Sequence, residues 1–236
     1  MSRGRSKQIT TVKLLPSWIE VVVPASEKHE YELSVENPII TTPDDVRGLG
    51  RLRNWCLDNF TEESVIMVDD DIMHFYCLSG ERTENVRDPL EIVQILINTC
   101  VMSRDARAKI FGFFQTDIRK YKGYDPFSLS GWIGTIIGVN GRKYRFRDDK
   151  FKVDIDMCLQ TLLVDRIIWM DNRYLASNRK DNNSGGNSQF RTEDGYNQSI
   201  KTLQKKWGDC IKVRDYQNQK RISLNFSRKQ GGLKEV

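Results

Sequence analysis

Asp69, Asp70 and Asp71 stand side by side at the end of an apolar run, Val65-Ile-Met-Val-Asp-Asp-Asp-Ile72. Adjacent carboxylates repel one another unless a cation, or donors on a ligand, offset their charge. The run before them has strand length and β-branched content, so it reads as a strand covered on both faces. In open α/β sheets, ligands sit outside the carboxyl ends of strands. A hard divalent cation bridging to a substrate diphosphate meets both conditions, because Mg²⁺ usually takes one or two carboxylates plus phosphate oxygens. A polar turn after a core strand would produce the same residues with no ligand at all.

Three further groups bear on chemistry. Asp154 and Asp156, in Val153-Asp-Ile-Asp-Met-Cys-Leu-Gln160, lie one residue apart at a helix entrance. Asp156 reads as the N-cap of the helix, which leaves Asp154 to point elsewhere, as a general base needs. Gly48-Leu-Gly-Arg-Leu-Arg-Asn54 is not a dinucleotide fingerprint, since Arg53 stands where the third glycine would be. Two glycines opening a helix still allow backbone approach to an anion, and Arg51 or Arg53 could reach a diphosphate. A glycine turn with a solvated basic face is the plain alternative. Arg142-Lys-Tyr-Arg-Phe-Arg147 alternates cations with rings. On a strand it offers charge for phosphates and rings for stacking, or simply a half-buried strand with a wet face.

The elements that must position these residues follow from local signals. Trp18 to Pro24 reads as a first strand and Pro38 to Pro43 as a second. A helix runs to Phe60 with Leu52, Trp55, Cys56 and Phe60 facing the core. Asp88-Pro89 supplies an N-cap and an N1 proline for the helix Leu90 to Met102, and Lys109 to Phe114 is a further strand. Gly131 to Val139 and Lys143 to Phe146 read as a hairpin around Asn140-Gly141. Asp165 to Trp169 is another strand, and Glu193 to about Trp207 a helix. Asn178 to Asn187 is the one long polar, glycine-containing loop. Strands alternating with helices imply a layered α/β domain around a mostly parallel sheet.

Composition bounds the function. A chain of 236 residues with a 39% hydrophobic share builds one full core, and no apolar stretch reaches the length of a membrane span. The basic start, within an expected flexible segment 1–14, lacks a following apolar region, so it does not read as a secretory signal and the protein is expected in the cytoplasm. Five irregularly spaced cysteines and two histidines argue against a disulfide framework or a structural zinc site. Charge is uneven. Residues 201–236 hold 10 Lys/Arg against 3 Asp/Glu, while the remaining 200 hold 27 against 29. A near-neutral body with a basic end piece (208–236) points to a polyanionic partner or to a solvated tail.

In order and spacing these pieces resemble the GT-A nucleotide-diphospho-sugar transferases. The runs G-L-G-R-L-R-N-W-C-L-D, V-D-D-D-I, W-I-G-T-I-I-G, D-I-D-M-C-L-Q-T-L, G-G-N-S and L-Q-K-K-W-G are similar to the TET-associated glycosyltransferases of phages, related to the glucosyltransferase that completes base J. The resemblance spans roughly Trp18 to Trp207 and implies a single GT-A domain. It implies transfer of a hexose, from a donor such as UDP-glucose, onto a hydroxymethylated pyrimidine in double-stranded DNA. It further implies Mn²⁺ or Mg²⁺ as cofactor.

Carried over by position, Asp71 would bind the metal and Asp69 the ribose or a metal-bound water, with Pro24, Arg51, Arg53, Asn54 and Asp70 completing the donor site. Asp154 would be the base, beside Asp156. Trp132, Arg145, Arg147, Gly186 and Asn187 would face the acceptor. The glutamate usual before the base is Val153 here. No late histidine is placed for the metal, so a third protein ligand is absent or comes from Gly185-Gly-Asn187. A glycan or small-molecule acceptor is the alternative within this superfamily. A non-catalytic DNA-binding module leaves the aspartate triplet unexplained, and nucleotidyltransferases usually bring their aspartates from separate strands.

Overall fold

A computed structural model describes residues 1–114, 125–147, 152–178, 193–216 and 219–225. The chain opens with β1 (Val21–Pro24), a short helix α1 (Lys28–Glu32) and β2 (Ile39–Thr42), which pairs with β1 in parallel. Gly48 turns the chain into α2 (Leu49–Asn59) at φ +93°, a conformation that side chains other than hydrogen resist. Then β3 (Ser64–Val68) leads through the three aspartates into β4 (Ile72–Ser79) and β5 (Arg82–Val86). Met67 and Val65 of β3 pack into the main core, whereas Ile66 and Val68 pack into a second cluster. Both faces of the strand are therefore covered.

Asp88 accepts a hydrogen bond from Leu90 N at 2.9 Å and starts α3 (Pro89–Asp105). After β6 (Ile110–Phe113), β7 (Phe127–Ser128) and β8 (Ile136–Asn140) come α4 (Val153–Val164), β9 (Trp169–Asp171) and β10 (Tyr174–Asn178). The chain continues through α5 (Glu193–Trp207) into a hairpin of β11 (Ile211–Tyr216) and β12 (Gln219–Leu224). The expected segments at Asp88 to Met102 and Glu193 to Trp207 form as read. The expected strand over Asp165 to Trp169 begins only at Trp169, because α4 runs on to Val164 with Asp165 as its C-cap.

The expectation of a mostly parallel sheet needs correction. The main sheet has five strands in the order β3-β8-β6-β9-β7, and only β6 and β9 pair in parallel. Yet β3 and β6 both run antiparallel to β8, so β3, β6 and β9 point the same way. Their carboxyl ends open on one edge of the sheet. A second, three-stranded sheet, β10-β4-β5, is wholly antiparallel.

Two more expectations change. No hairpin joins Gly131–Val139 to Lys143–Phe146, because β8 already has β3 on one side and β6 on the other. The chain turns at Gly141, φ +74°, and Arg142 folds back over the end of α2. Its guanidinium donates to the carbonyls of Leu57, Phe60 and Glu62 at 2.5, 2.8 and 2.8 Å, the first of them in the last turn of α2, where a helix leaves its carbonyls unpaired. Nor is the amino-terminal segment loose. Ser2 N donates to Val22 O at 2.9 Å and the Met1 ammonium to Val68 O at 3.3 Å, bridging β1 and β3. Among the described residues no helix is long and apolar enough to cross a membrane.

Candidate functional site

Strand β3 ends one residue before the aspartates, so Asp69, Asp70 and Asp71 form the link to β4 at the open edge of the main sheet. Thr11 fixes the link. Its hydroxyl donates to Asp69 O at 2.6 Å and accepts from Ile72 N at 3.0 Å. Asp69 N in turn donates to Thr135 O, just ahead of β8, at 3.0 Å. With the backbone pinned, the three side chains go to different partners.

Asp70 is buried and committed to the amino-terminal segment. It accepts from Ser2 Oγ at 2.5 Å and from Arg5 Nη1 at 2.8 Å. Asp71 accepts from Asn178 Nδ2 of β10 at 2.9 Å, with Arg5 Nη1 3.9 Å from its other oxygen. Asp69 lies 3.4 Å from Arg53 Nη2. About 30% of its side-chain surface reaches solvent, yet dense packing around the carboxylate pushes its pKa up to about 6. Burial is the largest cause. Arg53 works against it, and Asp71 and Asp70 add to it.

Arg53 is only 1% exposed, on the inner side of α2 with its guanidinium 5.2 Å above the Phe146 ring. Its Nη2 also reaches Gly134 O at 3.4 Å. Its Nε and Nη1 are buried with no hydrogen-bond partner among the described residues. Unpaired buried donors are costly, and a guanidinium with two such nitrogens has the capacity for an anion's oxygens. Asn54, beside it, binds Phe146 in both directions, donating to its carbonyl at 2.7 Å and accepting from its amide at 2.9 Å. It therefore holds the ring on which Arg53 rests. Arg51 lies on the exposed side of α2, and Pro24 is buried opposite Thr42. Of the two glycines that open α2, Gly48 serves the turn and Gly50 serves packing. A Cβ on Gly50 would come within 2.8 Å of Arg147 O.

The carboxylates of α4 differ sharply. Asp156 does not cap the helix, whose N-cap position is Lys152. It is fully buried, and its Oδ1 accepts from Trp207 Nε1 and Lys206 Nζ at 2.8 Å each. Gln160 donates to its Oδ2 at 2.8 Å, and Arg147 stands 3.8 Å away. Asp156 thus ties α4 to α5. Asp154 is half-buried and makes no hydrogen bond or ion pair among the described residues. It is close enough to the buried Cys158 to help raise that thiol, which burial chiefly pushes up to about 12.

Of the residues expected to face an acceptor, Trp132 is half-buried, packed against both the main core and the α4–α5 cluster. Arg145 pairs with Asp58 at 2.6 Å, and Arg147 lies 5.9 Å over the Trp207 ring. Gly186 and Asn187 lie outside the described residues. The sequence reading missed Ser2, Arg5, Thr11 and Asn178. Only Asn178 left a signal, as the first residue of the polar loop.

Asp69 and Asp71 offer oxygen donors alone, which suits a hard divalent cation held by one or two carboxylates and completed by phosphate and water. Among the described residues no three His, Cys, Asp or Glu side chains converge as a ready-made cage.

A family model described as TET-Associated Glycosyltransferase matches residues 1–186. No curated protein matches the chain.

Proposed function

The chain belongs to the TET-associated glycosyltransferase family, a family of sugar-transferring enzymes, and from that premise we propose that it moves a hexose from a nucleotide-diphosphate sugar onto a hydroxymethylated pyrimidine of double-stranded DNA. One observation carries the reading beyond the family. The partly desolvated Asp69 and the buried Arg53, with two unpaired nitrogens, meet at the carboxyl edge of β3. A carboxylate for a cation beside a guanidinium for phosphate oxygens is what a diphosphate leaving group requires.

On this reading Asp69 and Asp71 hold Mg²⁺ or Mn²⁺, which when bound supplies charge neutralisation to the departing diphosphate. Arg53 takes phosphate oxygens through Nε and Nη1. Asp154 accepts the proton of the acceptor hydroxyl as its oxygen attacks the anomeric carbon. The bond from that carbon to the diphosphate oxygen breaks, and the nucleoside diphosphate leaves with the electron pair. Asp156 and Asn54 act by holding α4, α5 and the Phe146 segment in place. Lys212 and Arg214, exposed on the basic carboxyl-terminal hairpin, supply charge for the DNA backbone. The same reading places the enzyme in the cytoplasm, that of a host cell if a phage encodes it.

The test is a donor and acceptor screen. The protein is incubated with Mn²⁺, each common nucleotide sugar, and duplex DNA with or without hydroxymethylated pyrimidines, and release of nucleoside diphosphate is followed. Release that depends on the hydroxymethylated duplex is the expected result. Release with a soluble glycan and none with DNA would make the glycan acceptor correct.

A further inference from the structure

We propose that Asn178 is a positioning residue for the donor site, holding Asp71 in its cation-binding orientation. The proposal rests on the donor-site reading above. Two observations converge on it. Asn178 Nδ2 donates to Asp71 Oδ1 at 2.9 Å, across 107 residues of sequence. The pairing of β10 with β4 slips between Ser177 and Asn178, so that Ser177 pairs with His74 while Asn178 pairs with Ile72. Such an irregularity re-aims a side chain, and these features concentrate beside active sites. Here it delivers the amide to the residue next to Ile72, which is Asp71.

The chemistry of the tether also matters. Arg5 Nη1 stands 3.9 Å from Asp71 Oδ2, longer than a hydrogen bond, and is engaged more closely with Asp70. Asn178 makes its direct contact to Asp71 Oδ1 through a neutral amide. An amide fixes the carboxylate rotamer without cancelling its charge, whereas a lysine or arginine in the same place would compete with the metal. Hydrogen-bonded partners of ligating carboxylates are worth about 10- to 100-fold in metal affinity when removed.

The test is titration of Mn²⁺ alone into the full chain, followed by the electron paramagnetic resonance signal of free Mn²⁺, well below the melting temperature of each variant. Asn178→Ala should weaken Mn²⁺ binding about 10-fold. Ser177→Ala, at the same irregularity, should leave it at the wild-type value. In turnover, saturating Mn²⁺ should restore the kcat of Asn178→Ala while its Mn²⁺ requirement stays raised, a pattern that general loosening of the strand would not produce. Unchanged Mn²⁺ affinity in Asn178→Ala, with Asp71→Ala impaired, would overturn the assignment and spare the donor site. Wild-type binding in Asp71→Ala would overturn the donor-site reading itself.

Discussion

Asp69 shows how a residue's surroundings become a measurable property. Its carboxylate faces Arg53, Asp70, Asp71 and the amino-terminal ammonium, and burial raises its pKa from 3.8 to about 6. Between those two values the native state holds a proton that the unfolded chain has released. Stability contributed by this group therefore falls as pH rises across that window, and the penalty is complete above it. Asp69→Asn cannot titrate. Its melting temperature should match the wild type near the acid end of the window and exceed it increasingly as pH rises through about 6. A difference that stays flat from acid to neutral pH would show that the carboxylate is not desolvated.

Helix α4 carries two aspartates two positions apart with separate duties. One face of its first turn buries Asp156 against Lys206 and Trp207 of α5, and the other leaves Asp154 half-buried. Removing one partner of a buried charged network strands the others, at a cost of about 3–5 kcal/mol. Asp156→Ala should therefore lose about that much in a urea unfolding curve. Asp154→Asn should unfold like the wild type while kcat falls on the order of 10²–10⁴-fold. If the stability loss instead followed Asp154, the network described for α4 and α5 would be wrong. The sequence sorts the pair by capping, with Asp156 as the N-cap, but that position belongs to Lys152 and Asp156 is buried for another reason. What decides is α5, some fifty positions away.

Across the whole molecule, charge and packing divide the carboxyl-terminal hairpin. Ile211 is buried against α4 and α5, with Val213, Ile222 and Leu224 packed beside it, while Lys212 and Arg214 face solvent. The hairpin is thus part of the fold and not a loose tail, and substitution tests it better than truncation. If it touches DNA, the affinity should fall linearly with salt on logarithmic axes. Lys212→Ala with Arg214→Ala should flatten that line by about 0.9 for each phosphate that the protein no longer neutralises. An unaltered slope would remove the hairpin from the DNA surface.

The sequence alone determined what local free energy determines. The apolar run before the aspartates made β3, Asp88-Pro89 started α3, and Asn140-Gly141 made a turn, because propensity, capping and glycine geometry act over a few residues. The aspartate triplet and Arg53 could be singled out for the same reason, as unusual chemistry beside a readable strand and helix. Tertiary structure decided the rest. Strand direction in the main sheet, the insertion of Met1 and Ser2 between β1 and β3, and the amide from Asn178 depend on which edges and buried groups find partners over long separations. Packing and the pairing of buried polar groups settle those choices, and neither leaves a periodic mark in the chain.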